Sequence, residues 1–72
     1  MALSNKEFAE ATECDDTMAS RLRNGHRLPG ADLLARIAAA YDIPLYDLHL
    51  AREQGSRAMG ELLRERVFDV PG

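Results

Sequence analysis

The sequence predicts an all-α fold, a small bundle of about five short helices, and three observations support this prediction. Alanine, leucine, arginine and glutamate are abundant while aromatic residues make up only 6% of the chain, a mixture that favours helices over strands. Glycine, proline and N-capping residues divide the chain into segments of helical length. Within these segments, apolar residues recur at the spacing of an amphipathic helix. Because the chain has 72 residues, we expect a single domain with a modest core over 1–72.

The first two helices are predicted from residues that commonly start and end helices. Residues 4–7, Ser-Asn-Lys-Glu, have the form of a capping box and start a helix from about Asn5 to Thr12. Asp15 is a suitable N-cap for a second helix, which the Asn24-Gly25 pair ends because both residues tolerate a left-handed backbone. The positions expected on the inner faces are Phe8, Ala9, Thr12, Met18, Ala19 and Leu22.

The other helices are predicted from their apolar faces. Residues 31–41 give the clearest amphipathic pattern, a fourth helix can run over 44–54, and Ser56 can cap a last helix over 57–68. The inward positions are, in order, Leu34, Ile37, Ala38 and Tyr41; Leu45, Leu48 and Ala51; and Met59, Leu62 and Leu63. The last of these stripes can serve either as intramolecular core or as the face of a homodimer.

The charge distribution argues for a local rather than a general affinity for nucleic acid. The net charge is -3 at pH 7, whereas a general nucleic-acid binder is usually basic. Residues 21–36 nevertheless carry four arginines against one aspartate, and residues 1–20 are acidic. A basic patch of this kind can dock on phosphates while its acidic flanks oppose indiscriminate binding.

The order of the motifs between Phe8 and Leu48 is more specific than any one of them. Two short helices joined by a tight turn are followed by Asn-Gly, a basic loop with proline and a third helix. The pattern comprises Phe8-Ala9, Glu13-Cys14-Asp15, Ala19-Ser20-Arg21-Leu22, Asn24-Gly25, Arg27, Pro29, Leu34, Ile37-Ala38, Ile43 and Leu48. It resembles the Cro and lambda-repressor-like (XRE-type) helix-turn-helix family, with the motif itself at about 5–25.

The chain departs from the family pattern in three respects. Glu13 and Asp42 stand where the family usually has glycine, and a left-handed backbone at either place would be strained. The usual first helix is missing, so we expect the 57–68 helix or a second copy of the chain to cover the exposed face. Asp16 stands where the family's recognition helix usually meets DNA, and it would repel phosphate unless it is aimed at a base donor.

The resemblance implies roles for the residues of the second helix and the loop after it. The helix Asp15–Arg23 is the implied recognition helix, whose N-terminal end would enter the major groove. Base contacts are expected from Arg21, to guanine O6 and N7, and from Thr17 and Asp16, the latter accepting from cytosine N4. Phosphate contacts, which fix register without reading sequence, are expected from Ser20, Asn24, His26 and Arg27.

The function that the resemblance implies is a sequence-specific, double-stranded DNA-binding transcriptional regulator. It would be a Cro-like or repressor-like protein of a phage or bacterium that occupies an operator, most often as a dimer. The alternative is a protein-interaction module of the same fold, such as an antirepressor, an antitoxin or a polymerase-binding factor. That alternative is supported by an acidic cluster, Glu7, Glu10, Glu13, Asp15 and Asp16.

Enzymatic, metal-dependent and membrane functions are not expected. The sequence offers no paired acid and base, no nucleophile with a partner and no phosphate-binding loop. One cysteine, Cys14, and two histidines do not form a zinc-ligand set, and no cofactor is implied. No apolar run reaches membrane-spanning length and the first ten residues lack a signal-peptide layout, so we expect a soluble, cytoplasmic protein.

Overall fold

The computed structural model describes residues 4–68. It contains α1 (Asn5–Thr12), α2 (Asp16–Arg23), α3 (Ala31–Tyr41), α4 (Leu45–Gln54) and α5 (Ser56–Leu63), and α5 continues into a π-helical turn (Arg64–Phe68). No strand occurs in this part of the chain. The predicted all-α class with five helices is therefore confirmed, and each observed helix begins within a residue or so of its expected start.

The N-terminal ends of α1 and α2 are capped by the residues that the sequence indicates. The Ser4 hydroxyl accepts a hydrogen bond from the Glu7 backbone N–H at 3.1 Å. The Asp15 carboxylate accepts one from the Met18 backbone N–H at 2.7 Å. Each cap satisfies a backbone donor that the first turn of a helix leaves without a partner. Local sequence thus fixes where both helices of the motif begin.

Two helices end on non-glycine residues with a left-handed backbone. Glu13 has φ 57° after α1, and Asp42 has φ 53° after α3. In each case the next N–H closes the helix end, since Cys14 donates to the Ala9 carbonyl and Ile43 donates to the Ala38 carbonyl, at 2.9 and 3.1 Å. The strain expected at these two positions is therefore present, and it amounts to about 1 kcal/mol at each.

The end of α2 uses glycine instead. Asn24 keeps φ at -87°, so the left-handed residue is Gly25 alone, with φ 74°. The Gly25 N–H donates to the Leu22 carbonyl at 3.2 Å and the His26 N–H donates to the Arg21 carbonyl at 2.8 Å. This pair of bonds is a Schellman motif, and it stops the helix where the sequence predicts.

A single cluster of buried apolar residues lies between the five helices and the π-helical turn. The prediction of inward positions was right for most of them but missed four buried residues, Leu33, Ile43, Val67 and Phe68. Leu45 was predicted wrongly, because it is 44% exposed on α4. The buried members are Phe8, Ala9, Ala19, Leu22, Leu33, Leu34, Ile37, Ile43, Leu48, Ala51, Met59, Leu63, Val67 and Phe68.

The C-terminal segment completes this core. Phe68, at the end of the π-helical turn, is fully buried, and its ring centroid lies 5.0 Å from that of Phe8 on α1. Met59 and Leu63 are also fully buried on α5. The C-terminal segment therefore covers Phe8 of α1, and Met59 and Leu63 of the predicted stripe serve as core within one copy of the chain.

The start of α5 differs from the prediction. Gly55, rather than Ser56, is the N-cap residue, and it makes no side-chain cap because glycine has none to offer. Ser56 is instead the first helical residue. The boundary is set by the φ of 117° at Gly55, a conformation that strongly favours glycine over any residue with a side chain.

Gly60, in the interior of α5, marks a close approach of α5 to the end of α2. A Cβ atom at this position would lie 2.8 Å from the Cα and N atoms of Gly25 and 3.2 Å from the Leu22 carbonyl oxygen. These neighbours are backbone atoms and cannot turn aside as a flexible side chain can. The glycine that weakens α5 by propensity therefore lets it pack against the end of α2.

Tyr41 lies at the edge of the core, where its ring stacks on Phe8 with centroids 5.9 Å apart and an interplanar angle of 9°. Its hydroxyl oxygen is buried and has no hydrogen-bond partner within residues 4–68. Burial raises the pKa of the Tyr41 phenol above its ordinary value of 10.0, and the nearby Glu7 and Cys14 side chains raise it further. Removing this hydroxyl group from water therefore costs free energy that no hydrogen bond within residues 4–68 offsets.

Candidate nucleic-acid interface

The α1–α2 unit has the geometry of a helix-turn-helix. The two helices pack on each other and are joined by a turn at 13–15. Ala9 and Ala19 are buried in the core that they share, and small residues of this kind permit close packing where helices cross. Thr12 is buried too, and its hydroxyl donates to the Phe8 carbonyl at 2.7 Å, so its polar atom is satisfied. These contacts hold α2 rigidly against α1.

The outward face of α2 carries most of the predicted contact residues. Positions 16, 17, 20, 21 and 24 recur at one and four residues, so they share one side of the helix. Asp16, Thr17, Arg21 and Asn24 are exposed, and Ser20 is partly buried. The structure therefore brings together on one surface the three proposed base readers and two of the proposed phosphate contacts.

Arg21 and Thr17 have side chains that are available to a ligand. Within residues 4–68, neither makes an ion pair or a side-chain hydrogen bond. Ser20 and Asn24 are only loosely engaged, with the Asn24 amide 3.4 Å from the Ser20 hydroxyl oxygen. Recognition requires such free groups, because a side chain already bound inside the protein would have to break that contact first.

The loop after α2 extends the same surface. His26 and Arg27 are both exposed, while Pro29 is fully buried and anchors the loop to the core. Gly30 then precedes α3 as its N-cap residue. The two remaining phosphate candidates thus follow directly on the recognition helix, on a loop that is held at both ends.

Arg23 has a different role from Arg21, although the sequence places both in one basic stretch. Its guanidinium carbon lies 4.9 Å from the centroid of the Phe68 ring, a cation–π distance. Its Nη1 also donates to the Asn5 side-chain oxygen at 3.3 Å. Arg23 therefore fastens α2 to α1 and to the π-helical turn. Only the position of Phe68, far along the chain, reveals this role.

The C-terminal end of α2 is also held by Arg64, which sequence reasoning did not single out. Its guanidinium donates to the Arg23 carbonyl oxygen at 2.6 Å. That carbonyl belongs to the last turn of a helix, where acceptors lack an intrahelical partner and partial negative charge accumulates. Arg64 thus fixes the end of α2 from the C-terminal segment.

Acidic side chains lie at the opposite end of the motif. Asp15 is engaged as the cap of α2, whereas Asp16 is exposed in the first turn without a recorded partner in the described chain. Glu7, Glu10 and Glu13 are exposed on α1 and the turn after it. Glu13 also approaches Arg36, with 3.9 Å between Oε2 and Nε. The interface is therefore basic towards the end of α2 and acidic near its start.

Residues 4–68 contain neither a cluster of metal ligands nor a membrane-spanning helix. No group of three or more His, Cys, Asp or Glu side chains is placed to hold a metal ion. None of the described helices is both long enough and apolar enough to cross a membrane. Cys14 is half-buried at the edge of the core, with its sulfur 3.3 Å from the Thr12 hydroxyl.

Comparison with known proteins agrees with the geometry. The helix-turn-helix family model matches residues 1–48, two thirds of the 72-residue chain, and the match ends within α4. No curated protein and no solved structure matches the chain. The chain therefore belongs to the Cro and lambda-repressor-like (XRE-type) helix-turn-helix family, whose members are DNA-binding regulators and are generally not enzymes.

Proposed function

We propose that the protein is a sequence-specific regulator of transcription that binds double-stranded DNA and acts as a repressor by occupying an operator. The observation that carries this proposal is the outward face of α2, where Asp16, Thr17 and Arg21 are exposed on one side of a firmly held helix. A helix with its side chains is about 10–12 Å in diameter, which suits a major groove about 12 Å wide.

Three side chains on α2 read the bases in this proposal. Arg21 donates to O6 and N7 of a guanine, a pairing that contributes about 1–3 kcal/mol of discrimination. Thr17 contacts a neighbouring base edge, and Asp16 accepts from cytosine N4. Because the Asp16 carboxylate would repel phosphate, it favours binding only where the helix is seated deep enough to reach a base.

The phosphate contacts flank these base readers. Ser20 and Asn24 lie on the same face of α2, and His26 and Arg27 follow on the loop. Such contacts hold the helix in register without reading sequence. The overall charge of -3 then limits binding to DNA in general, so that affinity depends on a correct operator.

We propose further that the regulator binds as a homodimer through the surface between α4 and α5. Most of the α5 stripe is buried within one copy, but Leu62 is only partly buried. It lines a groove of about 400 Å³ with Leu50, which is partly exposed on α4. The same groove is bordered by Glu61, Glu65 and Arg66. In a two-fold symmetric dimer, each copy would therefore present both acidic and basic side chains to the other copy. Dimerisation doubles the base pairs that a single short helix can read.

The experiment that tests this function is a binding selection from random duplex DNA, read by sequencing. We expect one enriched motif with two half-sites about one helical turn apart. The Arg21→Ala variant should fold normally and lose preference at one base pair in each half-site. No enrichment together with binding that is insensitive to salt would contradict the proposal.

A second candidate, a protein-interaction module of the antirepressor, antitoxin or polymerase-binding type, is favoured by one observation. Glu7 and Glu10 are exposed on α1, beside Glu13, and give the motif an acidic side that DNA would not bind. Native mass spectrometry of the protein isolated with its partners distinguishes the two. A tight complex with another protein and no DNA binding at low salt would favour this second function.

A further inference from the structure

The N-terminal turn of α5 lies directly beside the end of the recognition helix. A Cβ atom on Gly25 would lie 3.3 Å from the Arg57 Cα and 3.4 Å from the Ser56 carbonyl oxygen. Gly60, one turn further along α5, approaches the Gly25 backbone still more closely. Arg57 is therefore fixed next to the loop that carries His26 and Arg27, although it lies far away in the sequence.

Arg57 also has a side chain that is free to bind. Its side chain is 93% exposed, and its one partner within residues 4–68 is Glu61, at 4.0 Å between Nε and Oε1. An ion pair between two exposed groups at that distance contributes little, so it does not hold the guanidinium in place. An anionic ligand with several oxygen atoms could therefore replace Glu61 as the partner of the guanidinium with little loss of free energy.

Two other arginines of the C-terminal segment have defined structural partners. Arg64 donates to the Arg23 carbonyl, and Arg66 donates to the Asp47 carboxylate at 3.2 Å. Both contacts link the C-terminal segment to another helix of the fold. Arg57, in contrast, adds positive charge beside the recognition helix without contributing to the core.

We propose that Arg57 binds a DNA backbone phosphate, so that the DNA-binding surface extends from the helix-turn-helix onto α5, beyond the family-matched residues 1–48. This inference rests on the proposed function. With the N-terminal end of α2 in the major groove, the turn after its C-terminal end faces a wall of the groove, which is made of phosphates. Arg57 stands at that turn, and its guanidinium suits phosphate oxygens.

The close contact between Gly25 and Gly60 gives the proposed phosphate contact its precision. Two backbones in direct contact leave α5 little freedom to slide along α2. Arg64 adds a second attachment at the Arg23 carbonyl, on the turn of α2 next to Gly25. The C-terminal segment therefore both completes the core and holds Arg57 beside Gly25, which the loop with His26 and Arg27 follows.

The experiment measures the affinity of the full chain for its selected operator and for a random duplex over a range of salt concentrations. We expect Arg57→Gln to weaken both complexes equally and to reduce the slope of log K against log salt by about 0.9, the value for one lost phosphate contact. Arg57→Lys should restore most of the slope, because the phosphate contact depends chiefly on positive charge. The matched control is Arg52→Gln, which removes the same charge from α4, a helix that packs on α3 and α5.

The possible results separate this inference from the proposed function. If Arg57→Gln and Arg52→Gln give the same slope as the unchanged protein, Arg57 does not bind phosphate, although the regulator function stands. If Arg57→Gln alters base preference in the selection, the assignment to phosphate is wrong. If the unchanged protein binds no duplex at all, the proposed function fails and this inference with it. Thermal unfolding of all variants should match the unchanged protein, since the Arg57 side chain is solvent-exposed.

Discussion

The family-matched part of the chain and the segment that follows it are built by different kinds of interaction. In α1 and α2, side chains cap helices three residues away, and turns close through hydrogen bonds between near neighbours. The segment from Gly55 to Phe68 is instead positioned by contacts with residues more than thirty positions earlier, such as Gly25 and Phe8. The comparison teaches that the motif is specified locally, whereas its support is specified by packing.

The largest expected effect on stability comes from a substitution in the segment that is positioned by packing. Phe68→Ala should lower the free energy of unfolding by about 3–5 kcal/mol, because the ring is fully buried against Phe8 and beneath Arg23. Denaturant unfolding followed by circular dichroism measures the loss. Phe68→Leu is the milder control, since it keeps most of the apolar volume. A loss below about 1 kcal/mol for the alanine variant would contradict the role of the π-helical turn in the core.

The second substitution distinguishes the helix propensity of residue 60 from its packing against α2. Gly60→Ala should stabilise an isolated helix, yet in this fold we expect a net loss of about 1–3 kcal/mol, because the added methyl group overlaps the Gly25 backbone. The same denaturation experiment measures it. The control is Ala58→Gly, a change of helix propensity on the same helix without that contact. If Gly60→Ala raised stability, the close approach of α5 to α2 would be refuted.

A smaller effect tests the locally specified part. Glu13→Gly should raise the free energy of unfolding by about 1 kcal/mol, because it relieves a left-handed backbone at φ 57°. The distant ion pair with Arg36 contributes little to oppose this gain. Glu13→Ala removes the same carboxylate but keeps a Cβ, so it should give no gain. Equal stability of the glycine and alanine variants would show that strain is absent there.

The smallest effect concerns Tyr41 and appears only at high pH. Because the pKa of its phenol is raised in the folded protein, the unfolded chain ionises first as the pH rises past about 10. The contribution of Tyr41 to stability is therefore complete below that pH and is lost as the pH rises through the folded pKa. Tyr41→Phe should remove this loss and cost less than about 1 kcal/mol at neutral pH, since the hydroxyl is unpaired. An unchanged alkaline profile in the variant would contradict the prediction.

The candidate site shows the same division between local and tertiary information. Helical periodicity alone was enough to predict that positions 16, 17, 20, 21 and 24 share one face of α2. It was not enough to separate Arg21 from Arg23, because both arginines lie in one basic stretch and differ only in what surrounds them. Leu45 was misjudged for a similar reason, since an apolar residue at the start of a helix need not face the core.

The sequence by itself determined the all-α class, the bounds of α1, α2 and α3, the capped start of α2 and the membership in the helix-turn-helix family. The starts and ends of these helices depend on interactions between residues at most four or five positions apart, so the local sequence is enough to predict them. Only the tertiary structure decided that the π-helical turn packs Phe68 against Phe8, and that Gly60 and Arg57 of α5 meet the end of α2. These contacts join distant parts of the chain, and their geometry depends on how all the helices pack at once.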